Sequence, residues 1–182
     1  KQEEPAMLHL TQLALWGLPV AADPGEPPAL PDSVAVTGQG AWTYVAEHGW
    51  GEDPALPQLG PTHGGVVVDD AGRVFVSTDG PKGIVVFRRD GTVLRHFANG
   101  QGRYHGLCLN TEEGEQFLYA ADNGHVAKYT LAGARVLTIE GAAQSEGNRW
   151  SKATAVAVGP QGGIFVADGY GTSTIFKYDR TG

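Results

Sequence analysis

The sequence has a single cysteine, Cys108. One thiol excludes an internal disulfide framework and any zinc site built from cysteine clusters. Charge is sparse at 18% Asp, Glu, Lys and Arg, against about 25% in ordinary globular domains. No apolar run is long enough to span a bilayer as a helix, so no membrane span is expected. The basic patch that a phosphate backbone demands is also missing, so nucleic acid is not an expected partner. Lys1 stands where a start methionine would, which reads as a mature form or a piece of a longer chain.

Glycine is in excess, at 27 of 182 residues, about double the usual share. Apolar residues make up 41% and suffice to fill a core. The net charge of -7 is uneven, because residues 1–61 hold eight acidic residues and one basic residue, Lys1, while 62–182 hold twelve of each. Nine of the eleven prolines also fall in 1–61, with Pro24, Pro27, Pro28 and Pro31 close together. Such a segment reads as an extended, PPII-like linker. Within it, Met7 to Val20 followed by Ala21-Ala22 has some features of a secretory signal, and secretion or a periplasmic location is the expectation it raises. Glu3, Glu4, His9, Thr11 and Gln12 interrupt that pattern, and the rival reading is a short element packed on the domain edge.

The rest of the chain repeats. Segments 63–99, 105–141 and 154–182 align, with Phe75, Tyr119 and Phe165 at spacings of 44 and 46 and Gly91, Gly133 and Gly182 at 42 and 49. A period in the forties marks a propeller blade or a helical repeat. Short β-prone runs decide for the blade: Val66-Val67-Val68, Val74-Phe75-Val76, Ile84-Val85-Val86-Phe87 and Val156-Ala157-Val158. Asp69-Asp70-Ala71-Gly72 and Arg89-Asp90-Gly91 read as hairpin turns, since Asp and Gly tolerate φ > 0. Each unit is thus expected to be a four-stranded blade of an all-β propeller. Three units are recognisable, and Tyr44 to His48 is a candidate strand of a fourth. Propellers have four or more blades, so the expectation is an incomplete ring of about three to four blades, part of a longer chain. The alternative is a short chain that closes its ring with a second copy.

In a propeller the first strand of each blade lies nearest the central channel, so residues just before it meet at the channel mouth. This places His63, His105 and Thr154 around one ring, with the loops that hold Asp79, Asp122 and Asp168-Gly169-Tyr170 near them. Convergence of His, Asp and Tyr makes that mouth the candidate site for a metal or a small polar or peptide ligand, with His105 and His63 as candidate metal ligands. Asp122 and Asp168 also suit a structural role as acceptors of backbone N–H groups. Cys108 reads as a packed first-strand residue, and Trp42, Trp50 and Trp150 as packing or rim residues.

Three stretches resemble a known family. Tyr44-Val45-Ala46-Glu47-His48-Gly49-Trp50 with Leu56-Pro57 and Leu59-Gly60 is similar to a lead-in to the first blade. Tyr104-His105-Gly106-Leu107 is similar to a Pro-His-Gly-Leu blade start. Ala153 to Val158 and Val166-Ala167-Asp168-Gly169-Tyr170 are similar to Pro-Thr-Asp-Val-Ala-Val and Val-Ala-Asp-Gly-Tyr. The family is that of NHL-repeat six-bladed β-propellers, in the branch of the peptidyl-hydroxyglycine (peptidylamidoglycolate) lyases and their bacterial relatives. The resemblance implies a partial NHL-type propeller over 44–182, preceded by an acidic Pro-rich extension over 1–43. It implies a zinc held by three histidines at blade starts, of which His105 is one and the others lie beyond residue 182. Tyr170 is implied as the catalytic base. Apart from the resemblance, calcium is a candidate structural cation. The activity implied is carbon–nitrogen lysis of α-hydroxyglycine amides. One departure stands out: where the family carries an arginine, this chain has Asp79. A propeller that binds a peptide, glycan or protein at its rim without catalysis is the alternative, and a sugar-lactone hydrolase on the same fold a third. An oligomer is expected only if the chain ends at 182.

Overall fold

The computed structural model describes residues 36–100, 102–141 and 150–182. The signal-like stretch 7–22 and the Pro cluster lie outside the described residues. The chain divides into two compact units, Lys1–Glu47 and His48–Gly182. In the first, β1 (Val36–Gln39) and β2 (Trp42–Val45) form an antiparallel hairpin in which Tyr44 pairs with Thr37.

The second unit is all β among the described residues. The first sheet runs β3 (Val66–Val68), β4 (Val74–Ser77), β5 (Ile84–Phe87), β6 (Val93–Phe97). The next runs β7 (Leu107–Glu112), β8 (Glu115–Ala121), β9 (His125–Thr130), β10 (Arg135–Glu140). The last holds β11 (Ala155–Val158), β12 (Ile164–Asp168) and β13 (Thr174–Tyr178). Every strand pairs antiparallel with its sequence neighbour. These are three consecutive blades, and the sheets are open rather than closed into a ring.

Local chemistry explains the hairpins. Asp69 Oδ1 accepts the N–H groups of Ala71 and Arg73 at 3.0 and 2.8 Å, closing the first turn. Asp90 does the same for Thr92 at 2.9 Å. Asx turns of this kind are why the Asp-Gly clusters bend the chain where they do.

Side chains alternate between two cores, as a two-residue period demands. Phe75, Ile84, Val86, Tyr104, Leu118, Ala120, Ala127 and Tyr129 fill the space between the first and second sheets. Tyr119, Ala121, Val126, Ile139, Trp150, Val156, Ile164 and Val166 fill that between the second and third. Leu56, Val76, Val85 and Phe87, with Trp50, cover the other face of the first sheet. Fully burying a large apolar side chain contributes roughly 1.5–3 kcal/mol, so these interfaces dominate the stability. Trp150 is therefore a packing residue and not a rim residue: it is 1% exposed and its indole N–H donates to the Tyr178 hydroxyl at 2.6 Å. Cys108 is half-buried on β7 beside the second core.

The inner strands converge at one end. Gly65 lies so close to the carbonyl of His105 that a Cβ would collide with it. Gly106 meets the carbonyl of Thr154 in the same way, a Cβ there falling 2.8 Å from the oxygen. Small residues at these two points let successive blades close on one another.

Candidate functional site

The converging strand ends bring together the three residues singled out as ligands and base. His63 sits in the loop before β3 and is exposed. His105 sits just before β7 and is buried, 9% exposed. Tyr170 sits in the loop between β12 and β13 and is 64% exposed. The His63 and His105 rings stack with centroids 3.9 Å apart and planes inclined by 18°. Tyr170 meets His105 edge-on, with centroids 5.4 Å apart and planes inclined by 73°. Each blade thus contributes one ring to a continuous row.

Two of the three rings are anchored locally. The Ser77 hydroxyl donates to the His105 carbonyl at 3.1 Å across the blade interface, and the His105 N–H donates to Ala121 C=O at 2.8 Å. The Tyr170 loop is wound around Asp168. Its Oδ2 accepts the Thr172 N–H at 2.7 Å, its Oδ1 accepts the Lys152 N–H at 2.8 Å, and its C=O accepts the Ser173 N–H at 3.0 Å. Burial alone would raise the Asp168 pKa. The donated N–H groups of Thr172 and Lys152 outweigh it and hold the carboxyl below its ordinary value.

Asp122 plays the same part in the second blade. It accepts the Arg103 N–H at 2.9 Å and faces His125 Nδ1 at 3.2 Å. Asp122 and Asp168 are thus linking carboxylates, as their turn chemistry suggested. The hydrogen-bond register shifts His63 from its expected place. Ser77 N–H donates to Gly65 C=O and Ala121 N–H to Gly106 C=O, so Gly65 corresponds to Gly106 and it is Gly64, not His63, that corresponds to His105. Thr154, with its N–H on Ala167 C=O, is the third-blade counterpart of His105.

Burial, and secondarily the neighbouring His63, push the His105 pKa below its ordinary value, while Asp79 and Asp122 pull the other way. The net result favours a neutral imidazole, which is a proton acceptor.

The stacked arrangement does not let His63 and His105 bind one metal ion together. A ring nitrogen's lone pair lies in the ring plane. Two near-parallel stacked rings direct their lone pairs along separate planes and do not meet at one cation at zinc–nitrogen bond lengths of about 2 Å. Among the described residues no group of three or more His, Cys, Asp or Glu side chains is placed to hold a metal.

Sequence reasoning missed Arg103. Its side chain is 70% exposed, and its Nε lies 3.8 Å from Asp79 Oδ1. A guanidinium is therefore present at the mouth, supplied by the second blade. Its place two residues before His105 was the signal that could have found it.

A cavity of about 630 Å³ lies at the opposite strand ends, lined in part by Glu112, Phe117, Lys128 and Arg180. Lys128 there is paired with Glu112 at 2.6 Å and sits over the Phe117 ring. Its charge is already matched, so the row of rings is the stronger candidate.

No protein-family model and no curated protein matches this chain. Among solved structures it is similar to a protein of unknown function from Bacteroides caccae, with TM-score 0.52 and 14% identity over 64% of this chain and 45% of that one. It is also similar to a catalytically inactive virginiamycin B lyase from Staphylococcus aureus bound to quinupristin, with TM-score 0.47 and 18% identity over 66% of this chain and 41% of that one. The chain thus spans less than half the length of either. No helix among the described residues is long and apolar enough to cross a membrane. Sheet order, shared interblade cores and converging inner strands together make the second unit an arc of a β-propeller.

Proposed function

We propose that this propeller binds a small, polar, peptide-like ligand at the strand ends where His63, His105 and Tyr170 meet, and that it acts on it as a lyase of the peptidylamidoglycolate kind, as the NHL-type resemblance implies. The observation that supports this reading is the edge-on approach of Tyr170 to a buried imidazole, centroids 5.4 Å apart. Splitting a carbinolamide removes the hydroxyl proton, forms the carbonyl and breaks the carbon–nitrogen bond. The bonding electrons and a proton end on the departing amide nitrogen. Tyr170 is assigned to take the hydroxyl proton as it passes its own to the neutral His105, and the imidazolium so formed returns a proton to the departing amide nitrogen. No step is routed through zinc, whose other histidines the resemblance places beyond residue 182.

One observation favours the non-catalytic alternative: Asp79 stands where the family carries an arginine. The test is turnover of an N-acyl-α-hydroxyglycine by the purified protein, with elemental analysis of the same sample. The lyase reading expects an amide and an aldehyde acid as products, and loss of turnover by about a hundredfold or more in Tyr170→Phe. A protein that binds the compound without splitting it is the scaffold of the alternative.

A further inference from the structure

The dipeptide Asn-Gly occurs twice among the described residues, at Asn99-Gly100 and at Asn123-Gly124. Its chemistry is distinctive. Glycine has no Cβ to shield its own peptide nitrogen or to restrict its backbone, so that nitrogen reaches the carboxamide carbon of the preceding asparagine more easily than in any other Asn-X pair. The fold treats the two copies differently.

At Asn99 the reacting groups are occupied. The Gly100 N–H donates to Pro81 C=O at 3.0 Å, and the His96 Nδ1–H donates to Asn99 Oδ1 at 2.8 Å. At Asn123 the attacking nitrogen is free. The Gly124 N–H donates to no carbonyl among the described residues. Asn123 is half-buried and Gly124 is exposed, so water reaches the link. The pair forms the tight connection between β8 and β9, closed by the Asp122 N–H on His125 C=O at 2.9 Å. Asn-Gly in such a hairpin favours a turn with φ > 0 at both residues, yet neither residue has a positive φ here. The turn that would lock this dipeptide is not the one in use.

From this contrast we propose that Asn123-Gly124 is a site of spontaneous covalent modification, at which the Asn123 carboxamide is lost and the link becomes mostly isoaspartate. The Gly124 nitrogen bonds to Asn123 Cγ, and its proton leaves with the carboxamide nitrogen as ammonia. A cyclic imide remains. Water then opens the ring. Addition at the former side-chain carbonyl gives an ordinary aspartyl link. Addition at the backbone carbonyl gives isoaspartate, in which the main chain runs through the side chain. Water is the one co-reactant, and nothing is oxidised or reduced.

The position gives the change an effect on the blade. Asp122 Oδ1 accepts the N–H groups of both Asn123 and Arg103, at 2.5 and 2.9 Å. Gly102 passes so close to the same carboxylate that a Cβ there would collide with it. An isoaspartyl link adds a methylene to the main chain right after Asp122 and sets a second carboxylate beside the first. Both changes weaken the hold of Asp122 on the lead-in that carries His105. Conversion at Asn123 therefore loosens the strand end on which the buried imidazole sits.

The test is incubation of the purified protein at neutral pH, sampled over weeks by peptide mass mapping, with enzymatic methylation of isoaspartyl carboxylates as a second readout. Asn123 is expected to convert about tenfold or more faster than Asn99, where two hydrogen bonds must open first. In denaturant the two rates are expected to converge. Gly124→Ala is expected to remove most of the lead of Asn123. That variant keeps the fold, because a Cβ at Gly124 meets nothing within 4 Å and its φ is not left-handed. Hydrogen exchange at the Arg103 backbone N–H is expected to quicken in the converted fraction. Equal rates at Asn99 and Asn123 in the folded protein, or a rate at Asn123 that Gly124→Ala leaves unchanged, would each overturn the site. An Arg103 N–H equally protected before and after conversion would overturn its effect on the lead-in.

Discussion

The hydroxyl of Ser77 in the first blade donates to the carbonyl of His105 in the second, at 3.1 Å and fully inside the structure. This bond fixes the imidazole from behind, through its own backbone. Ser77→Ala would leave that carbonyl buried and short of a donor, and it is expected to lower stability by about 1–2 kcal/mol. Denaturant unfolding of the variant checks this. A Ser77→Thr variant that retains the donor should recover part of the loss.

His105 also gives the stability a pH dependence of defined sign. Its pKa in the folded protein lies below the ordinary value of 6.5, because of burial first and the neighbouring His63 second. The unfolded chain therefore binds the proton more readily. Stability is fully present above the unfolded value and is lost as pH falls from there through the folded value. Melting temperatures measured from pH 8 to pH 5 should decline, and the decline should be shallower in His105→Asn. Titration of the His105 ring protons by NMR should show a midpoint below 6.5.

Asp168 holds both the lead-in to the third blade and the loop that carries Tyr170. Asp168→Ala removes acceptors for Lys152 and Thr172 together, with an expected loss on the order of 2–4 kcal/mol for two bonds to a charged group. Because its folded pKa is depressed, its contribution is present above the ordinary 3.8 and is lost as pH falls through the folded value. Hydrogen exchange across residues 169–173 should quicken in the variant. Unchanged protection there would show that the loop holds without its carboxylate.

Much of this architecture was legible in the residues. Phe75, Tyr119 and Phe165, spaced in the forties, all lie on the second strands of their sheets, β4, β8 and β12. Turn chemistry carried the hairpins, because Asp69 and Asp90 act through their own local backbone. Convergence of His63, His105 and Tyr170 followed from the blade geometry alone. What stayed hidden depended on register and ring orientation. The doubled glycine after His63 moves it one place from the position His105 holds, and a repeat aligned on its histidines does not reveal that. Stacking of the two imidazoles is a side-chain torsion, and no spacing encodes it. Arg103 is an exposed loop residue, and only the fold brings it to Asp79.

Leu118 and Tyr119 are neighbours on β8, yet they belong to different cores. The same alternation runs on through Ala120 and Ala121, so the second blade owns no hydrophobic interior of its own. Each of its faces is one wall of a room shared with the blade beside it. Pulling that sheet away would open both rooms at once, whereas in a layered fold with a private core one element can loosen while the rest holds. The arc is therefore built to melt as a block, and its middle sheet is the last place where partial opening is tolerated.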